Sequence, residues 1–316
     1  MGKGQGKYVF GPVPSRRLGR SLGVDLIPYK TCSYDCVYCQ IGRSEATTIE
    51  RKVYAPARAV IEQVRERLNR GAAPDVITIS GSGEPTLHAE IGDVIAAIKG
   101  MTAAPVAVLT NGSLLFLPEV RRALMDADIV APDLDAADPE TFQSVNRPHP
   151  ELKLSEIIAG LRSFAREYRG RLLLEVFLAE GLNADAAQVA KLAAIARGLK
   201  SGRVQLNTVS RPPAEQCALA VSREKMAELA ALFEPPAEVI ADFRAGVKSA
   251  PAASGSGAEV LAMLSRRPCT MEDIAAGLSL SRKQARELVD KLIKDKQARI
   301  YEQGGRTYYA ARGRER

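Results

Sequence analysis

The chain has 316 residues, 46% of them hydrophobic and 26% charged, with a net charge of +7. That balance suits a globular fold and excludes a disordered or low-complexity chain. No run of about 18 apolar residues is present, which excludes a helical membrane span and a membrane partner. No apolar run follows the Gly- and Lys-rich start, so no signal peptide is expected, and five cysteines fit a reducing, cytoplasmic setting.

The first segment, residues 10–21, is rich in Gly and Pro and predicts an extended or looped arm. Its Ser15, Arg16 and Arg17 are read as solvated rather than facing an anionic substrate. A strand is expected over 22–27, ended by Pro28, followed by a cysteine-rich loop. Helices over 57–69, 91–99, 117–125, 154–168, 184–199 and 223–233 alternate with strands over 75–80, 105–110, 128–134, 172–178 and 204–209. Six strands alternating with helices through short connections predict a parallel α/β sheet with right-handed crossovers. Function in such sheets sits at the C-terminal ends of the strands.

Unusual residues fall at those ends. Residues 31–40 read Thr-Cys-Ser-Tyr-Asp-Cys-Val-Tyr-Cys-Gln and hold Cys32, Cys36 and Cys39 in a C-x3-C-x2-C spacing. Three thiolates so close in one loop suit a soft metal centre, and they serve three corners of a 4Fe–4S cube with one iron left open. A zinc loop would want a fourth Cys or His, and none lies near in sequence. After the next strand come Ser80-Gly-Ser-Gly-Glu-Pro-Thr-Leu-His88, where glycines let the backbone approach a ligand closely and Glu84 can accept hydrogen bonds from an ammonium group. Thr110, Asn111 and Gly112 follow the third strand, and Asp133, Asp135 and Asp138 the fourth. Asp138 before Pro139 reads as a helix N-cap. Arg147 can clamp a carboxylate. Phe177 and Leu178 end the fifth strand and are weighed as core. Gln205, Asn207 and Arg211 place polar groups near the sixth strand end. Cys217 reads as an ordinary thiol, and neither His88 nor His149 is assigned a role.

The cysteine spacing, with the aromatic Tyr38 just before the last cysteine, resembles the signature of the radical S-adenosylmethionine (radical SAM) superfamily. The resemblance implies a partial (βα)6 TIM-type barrel, a 4Fe–4S cluster on Cys32, Cys36 and Cys39, and S-adenosylmethionine (SAM) bound at the open iron. One electron, from a reductant such as flavodoxin or ferredoxin, then cleaves SAM to a 5′-deoxyadenosyl radical that abstracts hydrogen from a substrate. The stretch at Ser82, Gly83 and Glu84 resembles the family's Gly-Gly-Glu-Pro motif, with Ser82 in place of the first glycine. By the same resemblance Tyr38, Asn111 and Asp135 are candidates for SAM contact. Gly-Pro-Val-Pro-Ser-Arg-Arg at 11–17 and Asp-Ala-Ala-Asp-Pro-Glu-Thr-Phe at 135–142 are most similar to the 4-demethylwyosine (tRNA-wyosine) synthase group. That group's second cluster is not expected, because no cysteine precedes Cys32.

Residues 245–257 are mostly Gly, Ala, Ser and Pro, with Lys248 the one charge, and predict a linker between a core at 1–244 and a small domain at 258–316. Helices over 259–265, 270–278 and 282–294 and two strands about the Gly-Gly turn at 304–305 resemble a winged helix-turn-helix. This part carries 13 Lys and Arg against 8 Asp and Glu. Arg282, Lys283, Arg286 and Lys294 lie off its apolar stripe and Arg306 at the wing tip, a footprint for a nucleic acid or a protein. Three functions are therefore carried forward: a radical SAM enzyme modifying RNA or tRNA, a glycyl-radical enzyme activase, and an iron–sulfur transcription regulator.

Overall fold

The computed structural model describes residues 7–15, 17–199, 202–241, 256–278 and 280–312. Short apolar runs such as Val-Ile-Thr-Ile at 76–79 become strands buried on both faces, as parallel sheets require. The strands β1 (Val9–Ser15), β2 (Gly19–Asp25), β3 (Val76–Ser80), β4 (Val106–Thr110), β5 (Ile129–Pro132), β6 (Arg171–Leu178), β7 (Arg203–Thr208) and β8 (Glu238–Val239) lie side by side in chain order. From β2 to β8 every neighbour is parallel, whereas β1 is antiparallel to β2. The crossovers carry α1 (Ala57–Asn69), α2 (Ile91–Lys99), α3 (Pro118–Ala123), α4 (Pro139–Val145), α5 (Leu154–Glu167), α6 (Ala186–Arg197) and α7 (Arg223–Ala230).

The strand pleat sorts the apolar side chains by parity. Ile77, Ile79, Val106, Val108 and Val130 meet Val60, Val64, Val94, Ile95 and Ile98 of the helices in one large core. Their sequence neighbours Val76, Ala107, Ile129, Ala131 and Leu173 form a small inner layer with Leu18 and Leu109.

The sequence predicted six strands, and the sheet has eight. The arm expected to be extended or looped forms β1, whose pairing slips between Phe10 and Val13, where Gly11 and Pro12 stand. Proline is tolerated there because β1 is an edge strand. β8 is two residues long, too short to leave a hydrophobic pattern. Most of the expected linker, residues 245–257, lies outside the described residues, and its last residue already begins α8.

The C-terminal part contains α8 (Gly257–Leu264), α9 (Met271–Gly277), α10 (Arg282–Lys294) and a hairpin of β9 (Ala298–Gln303) and β10 (Arg306–Ala311). Ser256, Thr270 and Ser281 each close a reciprocal capping box at a helix start. Val260, Ile274, Ala285, Val289, Leu292 and Tyr309 form its own apolar cluster, in which Cys269 is buried. No helix among the described residues is long and apolar enough to cross a membrane.

Candidate cluster and cofactor site at the strand ends

The loop after β2 carries the three cysteines and is clamped from both sides. The Asp35 and Val37 amides donate to the carbonyls of Asn146 and Val145 at the end of α4, at 3.1 and 3.0 Å. On the other side the Glu84 amide donates to the Thr31 carbonyl at 3.1 Å and the Lys30 amide to the Ser82 carbonyl at 2.6 Å. Gly83 packs so close to that loop that a Cβ there would lie 1.8 Å from the Thr31 oxygen. The close approach at this glycine is to the chain's own cysteine loop, where the sequence led to an expectation of approach to a ligand.

Each cysteine sulfur faces a side-chain N–H donor. Asn111 Nδ2 lies 3.6 Å from Cys32 Sγ, Asn146 Nδ2 lies 3.5 Å from Cys36 Sγ, and Lys30 Nζ lies 3.7 Å from Cys39 Sγ. Burial pushes the Cys32 thiol up to about 12, with the Glu84 carboxylate adding to it. Burial, followed by Asp135, raises Cys36 as well. Three thiols gathered in one loop, each facing an N–H donor and two of them kept from losing protons in the absence of a countercharge, fit a cationic iron–sulfur centre. Among the described residues no three His, Cys, Asp or Glu side chains gather closely enough to hold a single metal ion.

Glu84 is 2% exposed and accepts four hydrogen bonds: from the Thr86 amide (2.9 Å) and hydroxyl (2.6 Å), the Thr110 hydroxyl (2.6 Å) and the Asn111 amide (2.7 Å). Burial raises its pKa and these donors oppose the rise. The carboxylate thus fixes the end of β4 against the end of β3 and aims Asn111 at Cys32. Ser82 donates from its hydroxyl to Asp25 at 2.6 Å, and its amide meets the same carboxylate at 3.2 Å. That pairing orders the turn before Gly83.

Asp135 accepts three hydrogen bonds. It accepts from the Tyr38 hydroxyl, from Asn146 Nδ2 at 2.7 Å and from the Phe177 amide at 2.8 Å. Burial lifts it to about 6 against the pull of those donors. Tyr38 stacks on Phe177 with ring centroids 3.8 Å apart. Leu178, by contrast, is fully buried core. Cys39, Tyr38, Asp135, Asn146 and Cys36 are thus joined by chain and by hydrogen bonds into one unit.

Other expectations resolve differently. Arg17, expected in solvent, lies inside the barrel at 2.5 Å from Glu175, which also accepts from Asn207 at 2.8 Å. Burying Glu175 without a cation would be costly, which is why an arginine is drawn in from β1's end. Arg147 clamps a carboxylate of this chain, Glu215, at 2.8 Å. His88 is a core histidine whose Nε2 lies 2.7 Å from the Ala55 carbonyl and whose Nδ1 accepts from the Glu90 amide. Asp138 caps α4 through the Thr141 amide at 2.9 Å, as expected. Cys217 is exposed, on a segment whose Glu215 amide donates to the Val37 carbonyl of the cysteine loop at 2.9 Å. Arg16 lies outside the described residues. Sequence reasoning missed Lys30, Asn146 and Glu175. Lys30 and Asn146 adjoin motifs, but neither motif says which neighbour reaches a sulfur.

Fold and site together define an α/β-barrel enzyme with three thiols at the strand ends. The family model of the Radical SAM superfamily matches residues 26–193, and the chain belongs to that superfamily. It is a radical SAM enzyme, and a 4Fe–4S cluster and SAM are its cofactors. A UPF0026 protein of Helicobacter pylori (strain J99) is 35% identical over 98% of this chain and 100% of its own length. A Brachyspira hyodysenteriae protein named GTPase Obg is 36% identical over 93% of this chain, which spans only 43% of that relative. Among solved structures, TYW1 with a lysine-pyruvate adduct bound shares the fold, with a TM-score of 0.52 and 17% identity over 72% of this chain and 76% of that one.

Proposed function

We propose that Cys32, Cys36 and Cys39 ligate the 4Fe–4S cluster, and that SAM lies against the ends of β3, β4 and β5, beside Tyr38, Ser82, Gly83, Glu84, Asn111 and Asp135. The observation that carries this is the triple set of N–H donors on the three sulfurs, two of them from the ends of β4 and α4. When bound, the cluster passes one electron to SAM, whose cleavage gives a 5′-deoxyadenosyl radical that takes a hydrogen atom from the substrate. Asn111, Asn146 and Lys30 disperse thiolate charge and raise the reduction potential. Glu84, with four protein donors, and Asp135, with three, hold those groups in place and position SAM chiefly through the backbone they order. The inward polar side chains Glu175, Asn207 and Arg17 line the space a substrate enters.

The decisive experiment is anaerobic reconstitution, reduction by dithionite or by flavodoxin, and detection of 5′-deoxyadenosine by mass spectrometry. Formation by the wild type and not by Cys36→Ala is expected. A chain that loads iron and leaves SAM intact would refute the proposal and return the regulator reading to first place.

A second reading concerns RNA. The three C-terminal helices and hairpin have the order of a winged helix, and Arg282, Lys283, Arg286, Lys294 and Arg306 are all exposed. On this reading residues 258–316 form a domain that presents RNA to the barrel. Binding of single-stranded RNA that weakens about tenfold in Lys283→Gln/Arg286→Gln and falls with added salt is expected. Unchanged binding refutes it.

A further inference from the structure

The sheet is not closed. β1 and β8 are its two ends and are not paired with each other. The C-terminal helices and hairpin touch the chain on both sides of that gap. On the β1 side Arg266 stacks over the Phe10 ring at 3.9 Å, Val13 packs on their apolar cluster, and Glu259 lies 3.7 Å from Arg67. On the side of the segment after β7, Asp273 meets Arg211 at 3.4 Å and the Tyr308 hydroxyl reaches the Ser210 carbonyl at 3.5 Å. Between them is a cavity of about 360 Å³, walled by the inner face of the sheet, by α8 and the turn after it, and by Leu278 at the end of α9. It extends to Ser82 and to Gln40, the residue after Cys39.

The wall is electropositive. Lys7, Arg17, Arg67, Arg211, Arg266 and Arg267 line it against Glu175 and Glu259. Arg17 is matched by Glu175, and counting Asp273 opposite Arg211 leaves three positive charges in excess. The Lys7 ammonium is held below its usual range by burial and then by Arg67 and Arg266, with only Glu259 opposing. Hydroxyls add neutral donors on the barrel side, where Ser21 donates to Thr78 at 2.7 Å. A low-dielectric pocket lined by excess cations and hydroxyls favours phosphate or carboxylate. Its volume is that of a small-molecule site and will not admit a folded nucleic acid.

We infer that this cavity binds a small anionic substrate, carrying a phosphate or carboxylate, and that the C-terminal helices serve as the missing wall of the barrel. The inference rests on the reading above that hydrogen abstraction occurs beside the cysteine loop. The C-terminal part then contributes Arg266 and Arg267 to the substrate site itself, rather than only carrying a partner to it.

The test uses the full chain, reconstituted anaerobically, with calorimetric titration of inorganic phosphate and of malonate at low ionic strength. Saturable one-site binding of at least one anion is expected, and which one binds separates the two sources of charge. Lys7→Gln and Arg267→Gln should each weaken it about tenfold. Arg162→Gln, the same charge change on the exposed face of α5, should leave it unchanged. Iron content, measured on the same samples, should stay at the wild-type level in all three, and SAM cleavage should stay at that level in Arg162→Gln. Iron loading and SAM cleavage without saturable binding of either anion overturns the cavity inference alone, as does equal weakening in Arg162→Gln. Anion binding with the expected pattern by a chain that loads no iron overturns the proposed function and keeps the cavity as an anion site. An oligoribonucleotide bound through Lys7 and Arg267, with neither small anion bound, overturns the small-substrate assignment in favour of RNA.

Discussion

The strand ends of the barrel and the C-terminal helices are built on opposite principles. Among the described residues every buried polar or charged side chain lies at or before Thr208, and none lies in the C-terminal part. The barrel end buries Asp25, Glu84 and Asp135 and pays for their desolvation with hydrogen bonds from Ser82, Thr86, Thr110, Asn111, Tyr38 and Asn146. Such networks are high-stakes, because each unmade bond leaves a buried group stranded. The C-terminal part buries aliphatic and aromatic groups and keeps its polar side chains for helix caps, contacts with the barrel and surface. The first is organised to hold groups at fixed positions around thiols. The second is organised to be stable and to present one face to the sheet edges and another to solvent.

The largest effect should come from the point where two barrel loops touch. Gly83→Ala places a Cβ 1.8 Å from the Thr31 carbonyl, and neither backbone can yield without moving Cys32. A loss of more than about 4 kcal/mol is expected, together with loss of iron on reconstitution, read by chemical unfolding and iron analysis. Normal iron content in Gly83→Ala would show that the cysteine loop is not held in the way described.

Next comes the contrast itself. Leu292→Ala removes a side chain that is 5% exposed in the C-terminal cluster and should cost about 3 kcal/mol. If the two regions are separate in stability, hydrogen exchange should speed up over α8, α9 and α10 while iron content stays at the wild-type level. Loss of iron in Leu292→Ala would break the comparison and show that the barrel end depends on its C-terminal wall.

Within the barrel end, Glu84→Gln keeps the shape and changes one acceptor into a donor. Whichever way the amide turns, at least one of four donors is left facing an N–H. A cost of about 2 kcal/mol is expected. Asn111 should also lose its aim at Cys32, lowering the cluster's reduction potential in a redox titration. An unchanged potential would separate Glu84 from the cluster.

How much of this was legible beforehand follows from the same contrast. The βα alternation was readable because buried parallel strands are short β-branched runs, and helix limits such as those of α1, α2 and α10 fall where the spacing put them. β1 was hidden by Gly11, Pro12 and Pro14, which an edge strand accepts and a central one does not. The cysteines were legible by spacing, and Ser82 to Glu84 by local composition. What each residue does was not. Glu84 looked like a group for an ammonium ligand, yet its four partners come from the chain, one of them 27 residues away. Asn146 and Lys30 reach sulfurs through the folded shape, and nothing in their own neighbourhoods distinguishes them from other polar residues. Arg17 looked solvated because its partner Glu175 is in β6, far along the sequence. Local periodicity encodes elements, whereas a polar network is a property of the strand ends once they have been brought together.

The smallest effect tests a polar group near the barrel end that is structural alone. Asp138 caps α4, the helix whose end clamps the cysteine loop. Its hydrogen bonds from Thr141 hold the carboxyl well below the usual carboxylate range. A group whose pKa is depressed in the folded state stabilises at pH values above its unfolded value, near 4, and that contribution is lost as pH falls through the folded value. Asp138→Ala should therefore cost about 1 kcal/mol at neutral pH, and the gap between variant and wild type should narrow as the solution is made strongly acidic. Urea titrations at pH 7 and in acid read both terms, and SAM cleavage at pH 7 should remain at the wild-type rate. A gap that persists unchanged in acid would mean that the carboxylate does not act as the cap. A fall in SAM cleavage at full folding would mean that the clamp of α4 on the cysteine loop is sensitive to even this small loosening, and would place Asp138 with the barrel end's network rather than beside it.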